Sequence, residues 1–252
     1  LIDAADVIMV ARGDLAVEVG YAEMTSLQKS IIRLARARNK FSITATQMME
    51  SMIHSASPTR AEVSDVANAV IDGTDAVMLS AETAVGKHPV LVVEAINRIC
   101  LGAERHFESE GGACSDLNVR FERIDQAIAM AAMFMATNVS VQAIIALTES
   151  GSTAQWLSRV QSSVPIFAFS TNKKSRRRMA MFRDVFPVKQ DLRSEDADAV
   201  VAEALSTLLS HGAVKNGERV LVTMGDRMCR SGGTNTLRFL RLDKETRERY
   251  GI

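Results

Sequence analysis

No run of roughly 18 apolar residues, the length that would cross a bilayer, occurs in the chain, although 47% of its residues are hydrophobic. That fraction supplies a core without supplying a membrane span. Net charge is missing too. Lys plus Arg and Asp plus Glu each number 30, which argues against nucleic acid or an anionic membrane as the main partner. Cysteine is scarce and unpatterned: Cys100, Cys114 and Cys229 show no Cys-x-x-Cys spacing. An odd, scattered set fits a reducing cytosol and ordinary burial. The four histidines lie far apart, which speaks against a histidine-based zinc site. The chain opens on Leu1, without Met or a signal-peptide pattern, almost directly on a strand pattern, and reads as a piece of something longer. Its 252 residues suit one large domain or two smaller ones.

What is present is organised around Asp6–Gly20. Val7–Val10 is an apolar run of strand length, and a turn-like Arg12-Gly13-Asp14 follows it. In α/β folds the C-terminal edge of a parallel strand is where ligands bind. Gly13 lacks a Cβ, so its N–H can come close to an anion. Asp14 can hold a hard divalent cation against that anion. The competing reading is a strand end followed by an Asp helix cap.

Three strand–helix units follow one another, with strand starts roughly 34 residues apart. Strand Val7–Val10 precedes a helix around Ser26–Arg38, with Leu27, Ile31, Leu34 and Ala35 as its apolar face. Strand Phe41–Thr44 precedes a helix around Arg60–Ile71, faced by Val63, Val66, Ala67 and Val70. Strand Ala76–Leu79 precedes a helix around Val90–Ala103, faced by Val93, Ile96, Ile99 and Cys100. Three units cannot close a barrel, which needs eight. The first and third strands would keep bare edges. Each strand ends in a polar cluster: Arg12-Gly13-Asp14, then Thr44 to Glu50, then Ser80-Ala81-Glu82-Thr83. Hydroxyls and carboxylates at successive strand ends converge on one face, the way a barrel assembles a site. Each cluster alone reads first as a helix cap or a loop hydrogen bond; three in register at C-terminal edges favour a site.

The stretches Val-Ala-Arg-Gly-Asp-Leu, Thr-Ala-Thr-Gln-Met-Met-Glu-Ser-Met, Pro58–Val70 and Met78-Leu79-Ser80-Ala81-Glu82-Thr83, in this order and spacing, closely resemble pyruvate kinase, most of all the bacterial enzymes activated by sugar phosphates or AMP. The resemblance implies the last three βα units of a TIM (β/α)8 barrel followed by a smaller α/β allosteric domain. It implies phosphoryl transfer from phosphoenolpyruvate to ADP, giving pyruvate and ATP. By similarity Asp14 would be a ligand of Mg2+ or Mn2+, and the backbone of Ala11, Arg12, Gly13 and Asp14 would seat the substrate carboxylate. Thr46 would contact the substrate near the proton path, and Ser80 would join the same hydroxyl and water network. An unperturbed Thr hydroxyl is a poor acid, so Thr46 suits orienting a water or relaying a proton. Glu82 would orient its neighbours. Ala16 and Ala81 stand where the family commonly has Gly. Arg60 and its helix would lie near a subunit interface of a homotetramer. The family's catalytic lysine, second metal-binding glutamate and phosphate- and K+-holding residues would lie upstream of Leu1, so the chain alone is expected to be inactive.

The barrel part is assigned to residues 1–107, a linker to 108–119, and the second domain to 120–252. The second domain shows a helix Ile124–Thr137, faced by Ile124, Ala127, Ile128, Ala131 and Met135, and strands Ala143–Leu147, Ile166–Phe169, Val185–Val188, Val220–Thr223 and Leu237–Leu242. Helices run through Trp156, near Ser175–Phe182 and over Ala197–Leu209, which gives a small, mostly parallel α/β domain with helices on both faces. Thr148-Glu149-Ser150-Gly151-Ser152-Thr153, between a strand and a helix, suits an anion or an ordinary Ser/Thr cap. In pyruvate kinases the matching loop grips an effector phosphate. Many relatives have Arg where Ser152 stands, and losing that fork bears on which effector is held. Gly225–Thr236, with Arg227, Arg230, Gly232 and Gly233, matches the family's second effector loop. Lys173 to Arg178 reads as a solvated face, with three arginines at a helix start opposing the macrodipole. Asp243–Ile252 extends past the family pattern and has no assignment. The other readings are a related enolpyruvate barrel lyase and a non-catalytic sugar-phosphate-binding fragment.

Overall fold

The computed structural model describes residues 1–109, 121, 123–160, 162, 164–191, 194–226 and 233–252, without the side chains of 106–109. Two compact units divide the chain, Leu1–Glu110 and Gly111–Ile252. Of the expected linker, 108–109 end a helix, and the remainder lies outside the described residues.

The first unit is three successive βα units on one parallel sheet, in the order β1-β2-β3. Strand β1 (Val7–Ala11) leads into α1 (Arg12–Val19) and α2 (Tyr21–Ala37). Strand β2 (Phe41–Ala45) leads through a 3-10 turn (Glu50–Ile53) into α3 (Arg60–Ile71). Strand β3 (Ala76–Met78) leads into α4 (Ala81–Ala84) and α5 (Pro89–Ser109). Ala11 pairs with Ala45, and Ala45 with Met78, so the three C-terminal ends stand level.

The helices turn differently from their expected faces. α2 buries Gln28, Ile32 and Ala35, while Leu34 is exposed. α5 buries Val92, Ala95, Ile96 and Ala103, and Val93 faces solvent. A helix packed on one side only leaves apolar residues near the boundary of its stripe exposed, and periodicity alone does not fix that boundary. Three methionines after β2, Met48, Met49 and Met52, are fully buried against Val66, Ala69, Val92, Ala95 and Ile96. Unbranched thioethers fill the irregular space between the sheet end and α3 and α5. They anchor the loop whose polar residues, Thr46 and Gln47, remain partly or fully exposed.

The second unit holds α6 (Ile124–Asn138), β4 (Ala143–Leu147), α7 (Ser152–Leu157), β5 (Ile166–Ser170), α8 (Lys173–Met179), β6 (Val185–Lys189), α9 (Ala197–Ser210), β7 (Arg219–Gly225), β8 (Thr234–Arg241) and α10 (Lys244–Tyr250). Its sheet runs β6-β5-β4-β7-β8, parallel except for the antiparallel β7–β8 pair. β4 is buried at every position, as a central strand covered on both faces must be. In α6 the buried face is Asp125, Ala129, Ala132, Met133 and Ala136, and the expected leading residue Ile124 is exposed. The unassigned tail is α10. It buries Tyr250 in the core with Val201, Leu205 and Leu242, and Arg249 donates to Asp198. The ion pairs with Arg238 and Arg249 hold the Asp198 carboxyl below the usual carboxylate range despite its partial burial.

Helix α3 begins with a full capping box. Thr59 Oγ1 accepts from the Glu62 N–H at 3.3 Å, and a Glu62 oxygen accepts from the Thr59 N–H at 2.8 Å. Burial pushes the Glu62 carboxyl up, but bonds from Ser51 and Thr59 outweigh it and hold the carboxyl below its ordinary value. A depressed carboxyl stabilises the fold above its unfolded pKa, and that contribution fades as pH falls through the folded one. Glu62→Ala should therefore cost about 1 kcal/mol at neutral pH. The gap from the unsubstituted chain should close on acidification, as read by thermal melts across a pH series.

Candidate functional site

At the level ends of β1 and β2 the chain is tied together by one guanidinium. Arg12, expected in a turn, opens α1 instead and is buried. Its Nη2 donates to the carbonyls of Thr46 at 2.7 Å and Gln47 at 2.9 Å, and its Nε donates to Thr46 at 3.1 Å. Nη1 pairs with the half-exposed carboxylate of Asp65 on α3. The carbonyls need this donor because Thr46 and Gln47 both have left-handed backbones, with φ of 70° and 53°. Such conformations cost roughly 1–3 kcal/mol each and persist only where the surroundings hold them.

The Gly13 N–H donates to Thr46 Oγ1 at 2.9 Å, and that hydroxyl donates to the Ala45 carbonyl at 2.7 Å. A Cβ on Gly13 would meet Thr46 Oγ1 at 3.6 Å, ordinary contact, so the close approach is to Thr46. Asp14, on the next residue of α1, is exposed, and its carboxylate has no hydrogen-bond partner among the described residues. Ser80 is exposed at the end of the third unit. Its N–H donates at 2.7 Å to buried Glu82, which also accepts from the Met49 N–H at 3.1 Å. Glu82 thus fastens the loop after β2 to the loop after β3. Ala16 and Ala81 both lie in helices and outside the positive-φ set.

Arg12, Gly13 and Thr46 are in direct contact, and Ser80 joins them through Glu82 and Met49. Asp14 stands on the same edge without touching the others. Among the described residues no three His, Cys, Asp or Glu side chains cluster as a metal site. Asp14 is one hard oxygen ligand. That suits an ion which takes one or two carboxylates and completes its shell with water and substrate oxygens. Arg60, the first residue of α3, is exposed. Asp65 went unnoticed as the partner of Arg12 because nothing in the spacing links positions 53 apart.

In the second unit the loop after β4 turns on Gly151, whose φ is +85° and whose Cβ would strike Met179 Cγ at 2.9 Å. No other residue fits there without a shift. The loop's side chains are largely engaged inward. The Gly151 N–H donates to Thr148 Oγ1 at 3.0 Å. Thr153 is buried, its hydroxyl 2.6 Å from that of Thr234. Ser152 donates to the buried carboxylate of Asp125 at 3.2 Å. The Arg123 guanidinium bonded to Asp125 holds that carboxyl below the usual range, against the effect of burial. Neither Arg123 nor Asp125 announced itself in the sequence. Ser150 Oγ accepts from the Ser152 N–H at 3.3 Å.

Glu149 and Ser150, with Asn172, Lys174, Ser175 and Arg178, line a cavity of about 310 Å³. Arg176, Arg177 and Arg178 sit in the last turn of the short α8, where cations complement the helix dipole, contrary to the opposed arrangement expected. Arg227, Arg230 and Gly232 of the expected second loop lie outside the described residues, and Gly233 immediately precedes β8.

Three parallel βα units with polar ends, followed by a five-stranded α/β unit with a loop turned at its central strand, define a barrel-derived protein with an appended α/β domain. Residues 1–93 match the family model described as pyruvate kinase, barrel domain, and residues 126–240 match pyruvate kinase, alpha/beta domain. The chain belongs to the pyruvate kinase family. It is 51% identical over 246 residues to pyruvate kinase II of Salmonella typhimurium, covering 96% of this chain and 50% of that protein. It is 50% identical to pyruvate kinase of Buchnera aphidicola subsp. Schizaphis graminum over 245 residues, with the same coverage of each. Pyruvate kinase of Geobacillus stearothermophilus is 38% identical over 238 residues, covering 94% of this chain and 40% of that protein. The chain spans about half the length of the first two.

Arg12→Met keeps the aliphatic stem and removes the donors that hold Thr46 and Gln47. It should cost about 1–2 kcal/mol, because partly buried carbonyls lose charge-assisted bonds. Asp65→Asn, at a half-exposed position, should cost under about 1 kcal/mol. Urea denaturation followed by circular dichroism distinguishes the two, and equal losses would show that the ion pair rather than the carbonyl bonds holds the junction.

Proposed function

We propose that this chain is the C-terminal portion of a cytoplasmic pyruvate kinase, which transfers the phosphoryl group of phosphoenolpyruvate to ADP in glycolysis. The observation that carries this is the order of the two matched family domains, together with the Arg12–Thr46 junction at the ends of β1 and β2. Residues 1–107 would be the catalytic part and 120–252 the effector-binding part. Ala11 to Asp14 would seat the substrate carboxylate at the start of α1, where the Gly13 N–H is already given to Thr46 Oγ1 and would have to be shared with it. Thr46, its hydroxyl ordered between Gly13 and Ala45, would orient a water or relay a proton toward the enolate carbon. Ser80 would extend that network, and Asp14 would hold Mg2+ or Mn2+. Bound there, the ion neutralises developing charge, which is most of what phosphoryl transfer asks of a protein. K+ would be held by residues outside this chain. Arg60, exposed at the start of α3, would contact a neighbouring subunit of a homotetramer. The Thr148–Thr153 loop, with Arg230, Gly232 and Gly233, would receive a sugar phosphate or AMP.

The family's lysine, second glutamate and phosphate-holding residues have no counterpart in this sequence. In a lactate dehydrogenase-coupled assay the chain alone should therefore give no turnover, and turnover by it would overturn the proposal. Joined to the upstream part of the barrel it should become active. In that longer polypeptide Asp14→Ala should lower metal-dependent turnover about 100-fold or more; an unchanged rate would remove Asp14 from the site.

A further inference from the structure

We propose that Gln47 is a further substrate-contact residue: standing at the edge formed by the ends of β1 and β2, its side-chain amide donates to an anionic oxygen of the substrate. This rests on the proposed role of that edge in phosphoryl transfer, and adds to it a neutral donor next to Thr46.

The backbone singles Gln47 out. Among the described residues four other than glycine have positive φ: Asn39, Thr46, Gln47 and Asp184. Asn39 and Asp184 stand alone and are of the types that enter the left-handed region most readily. Thr46 and Gln47 are neighbours, and neither type enters it readily. Strain of this kind gathers at sites where function requires it. For Thr46 the use is visible, since its hydroxyl is ordered between the Gly13 N–H and the Ala45 carbonyl. At position 47 a bend of the chain alone would be met without strain by glycine. The side chain is therefore what the position uses.

That side chain springs from a fixed point. The Gln47 carbonyl accepts from Arg12 Nη2 at 2.9 Å, and the two residues that follow, Met48 and Met49, are fully buried. Its Cα is thus held from both directions, while its amide is exposed and has no hydrogen-bond partner among the described residues. A Gln amide offers two N–H donors and one acceptor and does not titrate. It can bind and orient, and it cannot serve as acid or base. The other groups at this edge are engaged or of the wrong sign for an anion. Arg12 is taken up by the two carbonyls and Asp65, the Gly13 N–H is given to Thr46, the Thr46 proton goes to Ala45, and Asp14 is a carboxylate. The Gln47 amide and the Ser80 hydroxyl are the side-chain donors left to give. Of the two, the amide is the one whose backbone is strained to stand where it does.

Two substitutions separate the side chain from the backbone. Gln47→Gly removes both the amide and the strain, whereas Gln47→Ala removes the amide alone. In thermal melts of the full chain Gln47→Gly should raise the midpoint of the first unit by about 2–5 °C, and Gln47→Ala should leave it within about 1 °C. In the chain joined to the upstream part of the barrel, both variants should raise KM about 10-fold for the substrate whose oxygen the amide meets and keep kcat within about 3-fold, the pattern of a lost binding contact. Whether the KM for phosphoenolpyruvate or that for ADP moves identifies the source of the oxygen. Unchanged KM for both substrates, or a fall in kcat alone, would overturn this inference and leave the phosphoryl-transfer reading standing. So would a Gln47→Gly chain that melts no higher than its parent, because the position would then carry no strain. No turnover by the unsubstituted longer polypeptide would overturn that reading and this inference with it.

Discussion

One buried guanidinium governs the first unit. The chain leaves β2 through two residues whose backbones most side chains avoid, and the carbonyls of both accept from Arg12. Arg12 can reach them only because β1 and β2 pair in register to their last residues, Ala11 and Ala45, so that α1 starts where the loop after β2 begins. The Thr46 hydroxyl closes the arrangement by accepting from the Gly13 N–H. The substrate-facing geometry proposed for this edge is thus a by-product of how two strand ends satisfy each other's polar groups.

The second unit uses a buried anion where the first uses a buried cation. Asp125 sits under the loop after β4, kept ionised by Arg123, and draws the Ser152 hydroxyl inward. Ser152 satisfies that carboxylate with a single neutral bond and leaves the loop no cation of its own. The positive charge near this loop comes instead from Lys174 and Arg178 of α8, which line the same cavity as Glu149 and Ser150.

The sequence made the larger pattern legible. The three βα units, the parallel sheet, the α/β character of the second unit and the family itself all follow from strand-length apolar runs and from long motifs in fixed order. Helix existence was legible for the same reason, whereas helix facing was not: Leu34, Val93 and Ile124 continue an apolar period yet lie outside the packed stripe. The contacts that shape the candidate sites were the least legible. Arg12 pairs with Asp65, and Ser150 lines a cavity with Lys174; neither pair shares a local period, and only the strand register brings them near each other. The solvated face read from Lys173–Arg178 is what the structure has, with Lys173, Lys174, Arg177 and Arg178 exposed; that Lys174 and Arg178 also border a cavity was not legible, because a charge run is the same string in either setting.

The two sheets finish differently at their rims. In the second unit the outer strands are β6, which carries Pro187, and β8, which carries Arg238 and Arg241; a proline or a row of charge makes a poor template for another strand. The outer strands of the first, Val-Ile-Met-Val-Ala in β1 and Ala-Val-Met in β3, have neither, and Met9 is half exposed. Self-adhesion is therefore an unequal hazard along one polypeptide. The contrast lies in the backbone edges alone, since β6 and β8 expose Phe186 and Phe239 much as β1 exposes Met9.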